Sequence, residues 1–137
     1  MKITGIFNVT MSPLQAYAEG KDEISLGRMG LDKIYQGELD AVGQGEMLSA
    51  MTAVKGSAGY VAIEQITGVL CGKKGAFVVQ HYGQMHQGDQ SLVIDIVPDS
   101  GSGELTGIAG TMSITVNEGQ HIYELEFSFP QATSGSC

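Results

Sequence analysis

The chain has 137 residues, enough for one domain whose hydrophobic core needs neither disulfides nor metal. Hydrophobic residues make up 42% of the chain and charged residues 16%, a composition that excludes an intrinsically disordered protein. The net charge of −8 disfavours binding to nucleic acid or to an anionic membrane surface. No segment resembles a signal peptide or reaches the ~18 apolar residues of a spanning helix, so we expect a cytoplasmic protein.

Glycine is the residue that indicates the fold class. The 20 glycines are spread between β-branched runs, a pattern typical of many tight turns and therefore of an all-β protein. Cys71 and Cys137 are far apart in the sequence. They form no Cys-x-x-Cys motif, and neither has a histidine nearby at the spacing that a zinc site requires. We therefore expect two reduced thiols, no metal site and no cofactor.

In chain order, the first predicted strands lie near Lys2–Thr10, Leu26–Gln36 and Glu38–Ser49. The segment Pro13–Glu23 is predicted to be a connection. Residues 46–55 contain good helix formers but lack a clean apolar stripe, so a strand followed by a mobile loop is favoured over a short helix.

A hairpin is predicted in the middle of the chain, with the lysine pair at 73–74 in its tip. This register places Leu70 opposite Phe77 and Glu64 opposite Gly83, where the glycine would leave space for a side chain, water or ligand. A further strand is predicted near Ser91–Pro98, followed by a long turn.

The regular alternation near the C-terminus predicts a second hairpin around a Glu118–Gly119 loop. Its register pairs Val116 with His121, and Met112 with Leu125. About eight strands in sequence-adjacent pairs are typical of a meander barrel or a sandwich. We expect one domain over residues 1–130 and a flexible tail over 131–137.

Polar groups on the core face of the central hairpin are the candidate ligand-binding residues. Glu64, His81 and Tyr60 share parity with apolar core positions. The opposite face, which includes Val61 and Ile63, is also apolar, so the sequence leaves open which face is interior. A second apolar face is also consistent with burial against another subunit, which makes a homo-oligomer an expected assembly.

If the Glu64 face is interior, the carboxylate needs a partner, because an isolated buried charge costs several kcal/mol. His81 is the nearest candidate and Lys33 is another. His121 and Tyr123 also lie on a core face, where a structural hydrogen bond at a barrel end is favoured over a ligand-binding role. Three function classes follow: binding of a small apolar or amphipathic ligand, homo-oligomeric assembly, and acid–base catalysis.

Several segments taken together resemble a bacterial family of uncharacterised proteins, a domain of unknown function. The segments are Gly45–Ser49, Ser57–Glu64, Gly75–His81, Pro98–Gly107, Gly107–Gly110 and His121–Tyr123. The resemblance implies a closed eight-stranded antiparallel meander barrel, similar to the barrel of plant allene oxide cyclase. The family has no established activity, and no residue matches the cyclase's catalytic positions, so no role is carried over.

Overall fold

The computed structural model describes residues 1–130, and within that range it is built from strands and turns without a helix. Its strands are β1 Lys2–Leu14, β2 Ser25–Gln36, β3 Leu39–Met51, β4 Ala58–Leu70, β5 Lys73–His86, β6 Asp89–Ile96, β7 Ser102–Gly103, β8 Ala109–Asn117 and β9 Gln120–Ser128.

Eight of these strands form a closed ring. Each strand pairs antiparallel with the next one along the chain, and β9 pairs with β1 to close the barrel. The short strand β7 lies outside the ring and pairs with the start of β5. The predicted closed eight-stranded antiparallel meander barrel is therefore confirmed. Closure pairs every strand of the ring on both sides and leaves no exposed sheet edge there.

The interior carries the alternate residues of each strand, and one end of the barrel is covered. Leu105 and Ile108, in the segment between β7 and β8, are buried in the same apolar cluster as Leu39 and Leu70. The opposite end, where β3 ends and β4 begins, has no comparable cover among residues 1–130 and forms an open mouth. Any ligand site inside the barrel is therefore reached from that mouth.

The face that carries Glu64 is the interior one, which answers the question that the sequence left open. Glu64 and Ile66 are almost completely buried, whereas Val61 and Ile63 are 47% and 52% exposed. The two apolar faces of β4 thus differ in role: one fills the barrel and the other covers its outer surface.

The predicted register of the central hairpin is wrong. The turn lies at Cys71–Gly72, so that Leu70 pairs with Lys73 and Glu64 pairs with Val79 instead of Gly83. Cys71 and Gly72 have φ values of 50° and 81°, as a two-residue type I′ turn requires. The partners move by four positions, an even number, so the predicted faces remain correct.

The C-terminal hairpin has the predicted register, with Val116 opposite His121 and Met112 opposite Leu125. The segment 46–51 belongs to β3, as expected, and β1 extends to Leu14, so the first connection is shorter than predicted. The predicted tail, 131–137, lies outside the described residues. Cys71 is disulfide-bonded, which contradicts the reduced thiol expected for this residue; Cys137 lies outside the described residues.

A hydrogen bond from Tyr123 connects β9 to the end of β2. The Tyr123 hydroxyl donates to the backbone oxygen of Gln36 at 2.8 Å. We expect Tyr123→Phe to destabilise the barrel by about 1–2 kcal/mol, since the buried hydroxyl contact is lost. The matched control is Tyr82→Phe on the outer surface, where the ring is 53% exposed. Urea denaturation of both variants tests this, and equal stability of the two would contradict the assigned role.

Candidate functional site

A buried carboxylate with three partners lies inside the barrel. Glu64 Oε1 lies 2.9 Å from Lys33 Nζ and 3.2 Å from His81 Nε2. The Tyr35 hydroxyl donates to Glu64 Oε2. The exposed fraction is 0% for Glu64, 1% for Tyr35, 3% for His81 and 6% for Lys33. We call these four residues the Glu64 cluster.

The cluster spans four adjacent strands because β3 carries glycine where the side chains cross it. Lys33 and Tyr35 lie on β2 and Glu64 lies on β4, with β3 between them. Gly43 faces the Glu64 carboxylate so closely that an added Cβ would overlap with Oε2. The missing side chain therefore lets groups from β2 and β4 meet above the backbone of β3.

The electrostatics of the cluster favour an ionised carboxylate. Burial alone raises the pKa of Glu64, but the hydrogen bond from His81, the charge of Lys33 and the hydrogen bond from Tyr35 outweigh it. The pKa of Glu64 is therefore held below its usual value of 4.5. Burial and the neighbouring Glu64 charge raise the pKa of Tyr35 far above its usual range, so this phenol keeps its proton and donates.

A cavity of about 690 Å³ occupies the open mouth of the barrel. Its lining is mainly apolar and rich in methionine, with contributions from the ends of six strands. The apolar lining side chains are Pro13, Leu14, Met29, Met47, Met51, Ala58, Met85 and Leu92, and Tyr60 lies among them.

Tyr60 lies across a glycine of the neighbouring strand. Gly83 is its direct cross-strand partner, and an added Cβ there would overlap with the Tyr60 ring. Burial raises the pKa of Tyr60, so the phenol is a hydrogen-bonding group and not a phenolate at neutral pH. Gly83 thus gives space to Tyr60, and not to Glu64 as the predicted register implied.

The Glu64 cluster lies one step deeper than the cavity. On β5 the inward positions run from Met85 and Gly83 at the mouth to His81, and on β4 they run from Tyr60 through Ala62 to Glu64. His81 is therefore the member of the cluster nearest the cavity along its own strand. The structure brings Glu64, His81 and Lys33 together and places Tyr60 above them.

The other two candidates lie on β9 and adjoin the cluster through ring contacts. The Tyr123 ring packs edge-on against Tyr35, with ring centroids 5.5 Å apart. His121 stacks against Phe7, with ring centroids 5.1 Å apart, and Tyr123 donates to backbone oxygens at the β2–β3 connection. Phe7 also contacts the cluster, because Lys33 Nζ lies 5.0 Å from its ring centroid. For Tyr123 the structural hydrogen bond is present as expected, whereas His121 makes an aromatic contact in its place.

Sequence reasoning missed Tyr35 and Gly43. Tyr35 has the parity of Lys33 on the same strand, which is a signal that it shares the interior. Among residues 1–130 no group of three or more His, Cys, Asp or Glu side chains is arranged to hold a metal ion. The same residues contain no helix long and apolar enough to cross a membrane.

Comparison with known proteins agrees with this architecture. The family model described as protein of unknown function DUF3224 matches residues 3–127. The chain belongs to the DUF3224 family. A solved DUF3224 structure from Shewanella oneidensis MR-1, a protein with unknown function, is 58% identical, with a TM-score of 0.93 over 96% of this chain and 98% of that one. No curated protein matches this DUF3224 chain.

The Lys33–Glu64 pair in this DUF3224 barrel should show strong energetic coupling. We expect Lys33→Met to cost about 3–5 kcal/mol, because it leaves a buried charge without its partner. The double variant with Glu64→Gln should cost less than the sum of the two single variants, since it removes both charges. Urea denaturation of the four proteins gives the coupling free energy.

Acid should abolish this coupling. The pKa of Glu64 is lower in the folded protein than in the unfolded chain. The stabilisation that the ionised carboxylate contributes is therefore fully present above pH 4.5, and it is lost as the pH falls through the lower pKa of the folded state. The control is Lys2–Glu124, a pair with the same 2.9 Å separation on the exposed surface, where the coupling should be far smaller. Equal coupling in the two pairs, or coupling that persists in strong acid, would refute the assignment.

Proposed function

We propose that this DUF3224 protein binds one small apolar or amphipathic molecule in the mouth of the barrel. The observation that carries the proposal is the methionine-rich cavity of about 690 Å³. Ligand sites usually measure roughly 300–1,000 Å³ and combine an apolar lining with a few polar groups. An eight-stranded barrel is wide enough to hold one such molecule.

The lining is suited to apolar ligands of varied shape. Met29, Met47, Met51 and Met85 contribute flexible, polarizable side chains that adapt to irregular apolar surfaces. Tyr60 adds a phenol at the same surface. The polar groups of the cluster lie below, so the apolar part of a ligand would occupy the mouth and its polar end would point inward.

1-Octanol should raise the melting temperature of the wild-type protein, because a ligand that binds only the folded state stabilises it in proportion to ln(1 + [L]/Kd). Met47→Gln keeps the side-chain length but makes the cavity wall polar, and it should reduce this rise. The control is Leu48→Gln, the next residue on β3, which lies on the outer surface and is 54% exposed. No rise in the wild type, or the same rise in both variants, would refute the proposal.

Assembly with a second copy of the chain is the second candidate, and it could operate together with ligand binding. Leu48, Val61, Tyr82 and Val93 are direct cross-strand partners in one row over four strands of the outer surface. Each is about half exposed. A continuous apolar row of this kind is typical of a self-complementary interface and is uncommon on a monomer.

Light scattering should then give a particle of at least twice the monomer mass. Val61→Glu, which places a charge in the middle of the row, should reduce it to the monomer. Val116→Glu changes the net charge equally at a 60% exposed position on β8, and it should leave the assembly intact. A monomeric wild type would end this candidate.

A cyclase- or isomerase-like enzyme is less well supported. Glu64 is completely buried and its carboxylate already accepts from three donors, so it is placed to orient His81 and not to take a proton from a substrate.

A further inference from the structure

We infer that the ligand carries a neutral hydroxyl group and donates its hydrogen bond to Nδ1 of His81. The inference rests on the proposed binding function and narrows it to a chemical class: an alcohol, phenol or enol with an apolar body.

The contact with Glu64 determines which nitrogen of His81 carries the proton. An ionised carboxylate can only accept hydrogen bonds, so Nε2, 3.2 Å from Oε1, must be the donor. Lys33 already provides the positive charge that balances Glu64, so the buried charges cancel with an uncharged imidazole. In that tautomer Nδ1 has a free lone pair and is a hydrogen-bond acceptor.

Nδ1 is the ring nitrogen of His81 that has no hydrogen-bond partner among residues 1–130. Every buried side-chain nitrogen or oxygen of residues 1–130 has a hydrogen-bond partner. The His81 side chain makes one hydrogen bond to these residues, the one from Nε2 to Glu64. Nδ1 is therefore not among the fully enclosed atoms, and the His81 side chain, 4% exposed, lies one inward position below Gly83, which lines the cavity.

On the side toward the mouth, the neighbours of His81 are mainly apolar, and the Tyr60 ring covers Gly83. Ala62 is the direct cross-strand partner of His81 on one side and Ile94 on the other, and Gly83 is the next inward position toward the mouth. A ligand that displaces water from this space without providing a donor leaves Nδ1 unpaired, which is costly in apolar surroundings. The site therefore favours a ligand with one donor at the end of an apolar body.

Charge favours a neutral donor over an ionic one. An anionic group at Nδ1 would approach the ionised Glu64 in a protein whose net charge is −8. A cationic group would be brought close to Lys33, whose side chain is 6% exposed and held against the same carboxylate. A hydroxyl meets neither repulsion, and it supplies the hydrogen bond that Nδ1 lacks.

The test compares two isomers, 1-octanol and 1-methoxyheptane, which have the same number of heavy atoms but differ in the donor. We expect the wild-type protein to bind the alcohol at least about tenfold more tightly than the ether, measured by calorimetric titration. His81→Phe keeps a ring of similar size but has neither Nδ1 nor any other hydrogen-bond acceptor in its side chain, so it should bind both isomers equally.

The outcomes separate this inference from the proposed function. If neither isomer binds the wild type, the binding function itself fails. If both bind equally well to the wild type, or if His81→Phe keeps the preference for the alcohol, the cavity binds ligands but Nδ1 is not the acceptor.

A second measurement does not depend on the folding of the variant. The ¹⁵N resonance of His81 Nδ1 in the wild type should shift when 1-octanol is added and should remain unchanged with 1-methoxyheptane. A resonance that ignores the alcohol, or one that responds equally to the ether, would overturn the inference.

Discussion

The buried pair of Lys33 and Glu64 is the interaction to which the rest of the barrel interior is adapted. Two charges removed from water are tolerated only when they neutralise each other and their remaining hydrogen-bonding capacity is used. Tyr35 and His81 use that capacity at the carboxylate, and Gly43 leaves the space in which the groups meet. A change at any of these positions therefore affects the balance of the whole cluster and not one contact alone.

Alternation along single strands predicted much of the fold. The C-terminal hairpin was predicted with its correct register because Glu118 and Gly119 suit a two-residue turn and the flanking apolar residues match in pairs. The central hairpin was misplaced because two lysines resemble a loop tip, whereas the left-handed backbone is taken by Cys71 and Gly72. The predicted register differs from the observed one by four residues, an even number, so Glu64 and His81 were still assigned to one face.

The candidate site was predictable only in part, since its contacts cross strands that the sequence cannot order in space. The meeting of Lys33 with Glu64 requires that β3 lie between their strands and carry a glycine at the crossing point. Both faces of β4 carry apolar residues, so the sequence does not show which face is interior. The two faces differ in burial only once the ring of strands is closed. Tyr35 was missed for the same reason: its parity was visible, but its partner was not.

The composition of the cluster bears on whether its role is only structural. Replacing a buried ion pair by apolar side chains of similar volume is often neutral or stabilising, so a buried ion pair is weak evidence for a stabilising role. A purely structural network would also use all its hydrogen-bonding atoms internally. Here Glu64, Lys33 and Tyr35 are joined, while one nitrogen of His81 is left over beneath an apolar cavity. Glu64 holds the His81 ring, Lys33 and Tyr35 hold Glu64, and Nδ1 has no partner among them, which supports the proposed binding role over a purely structural one.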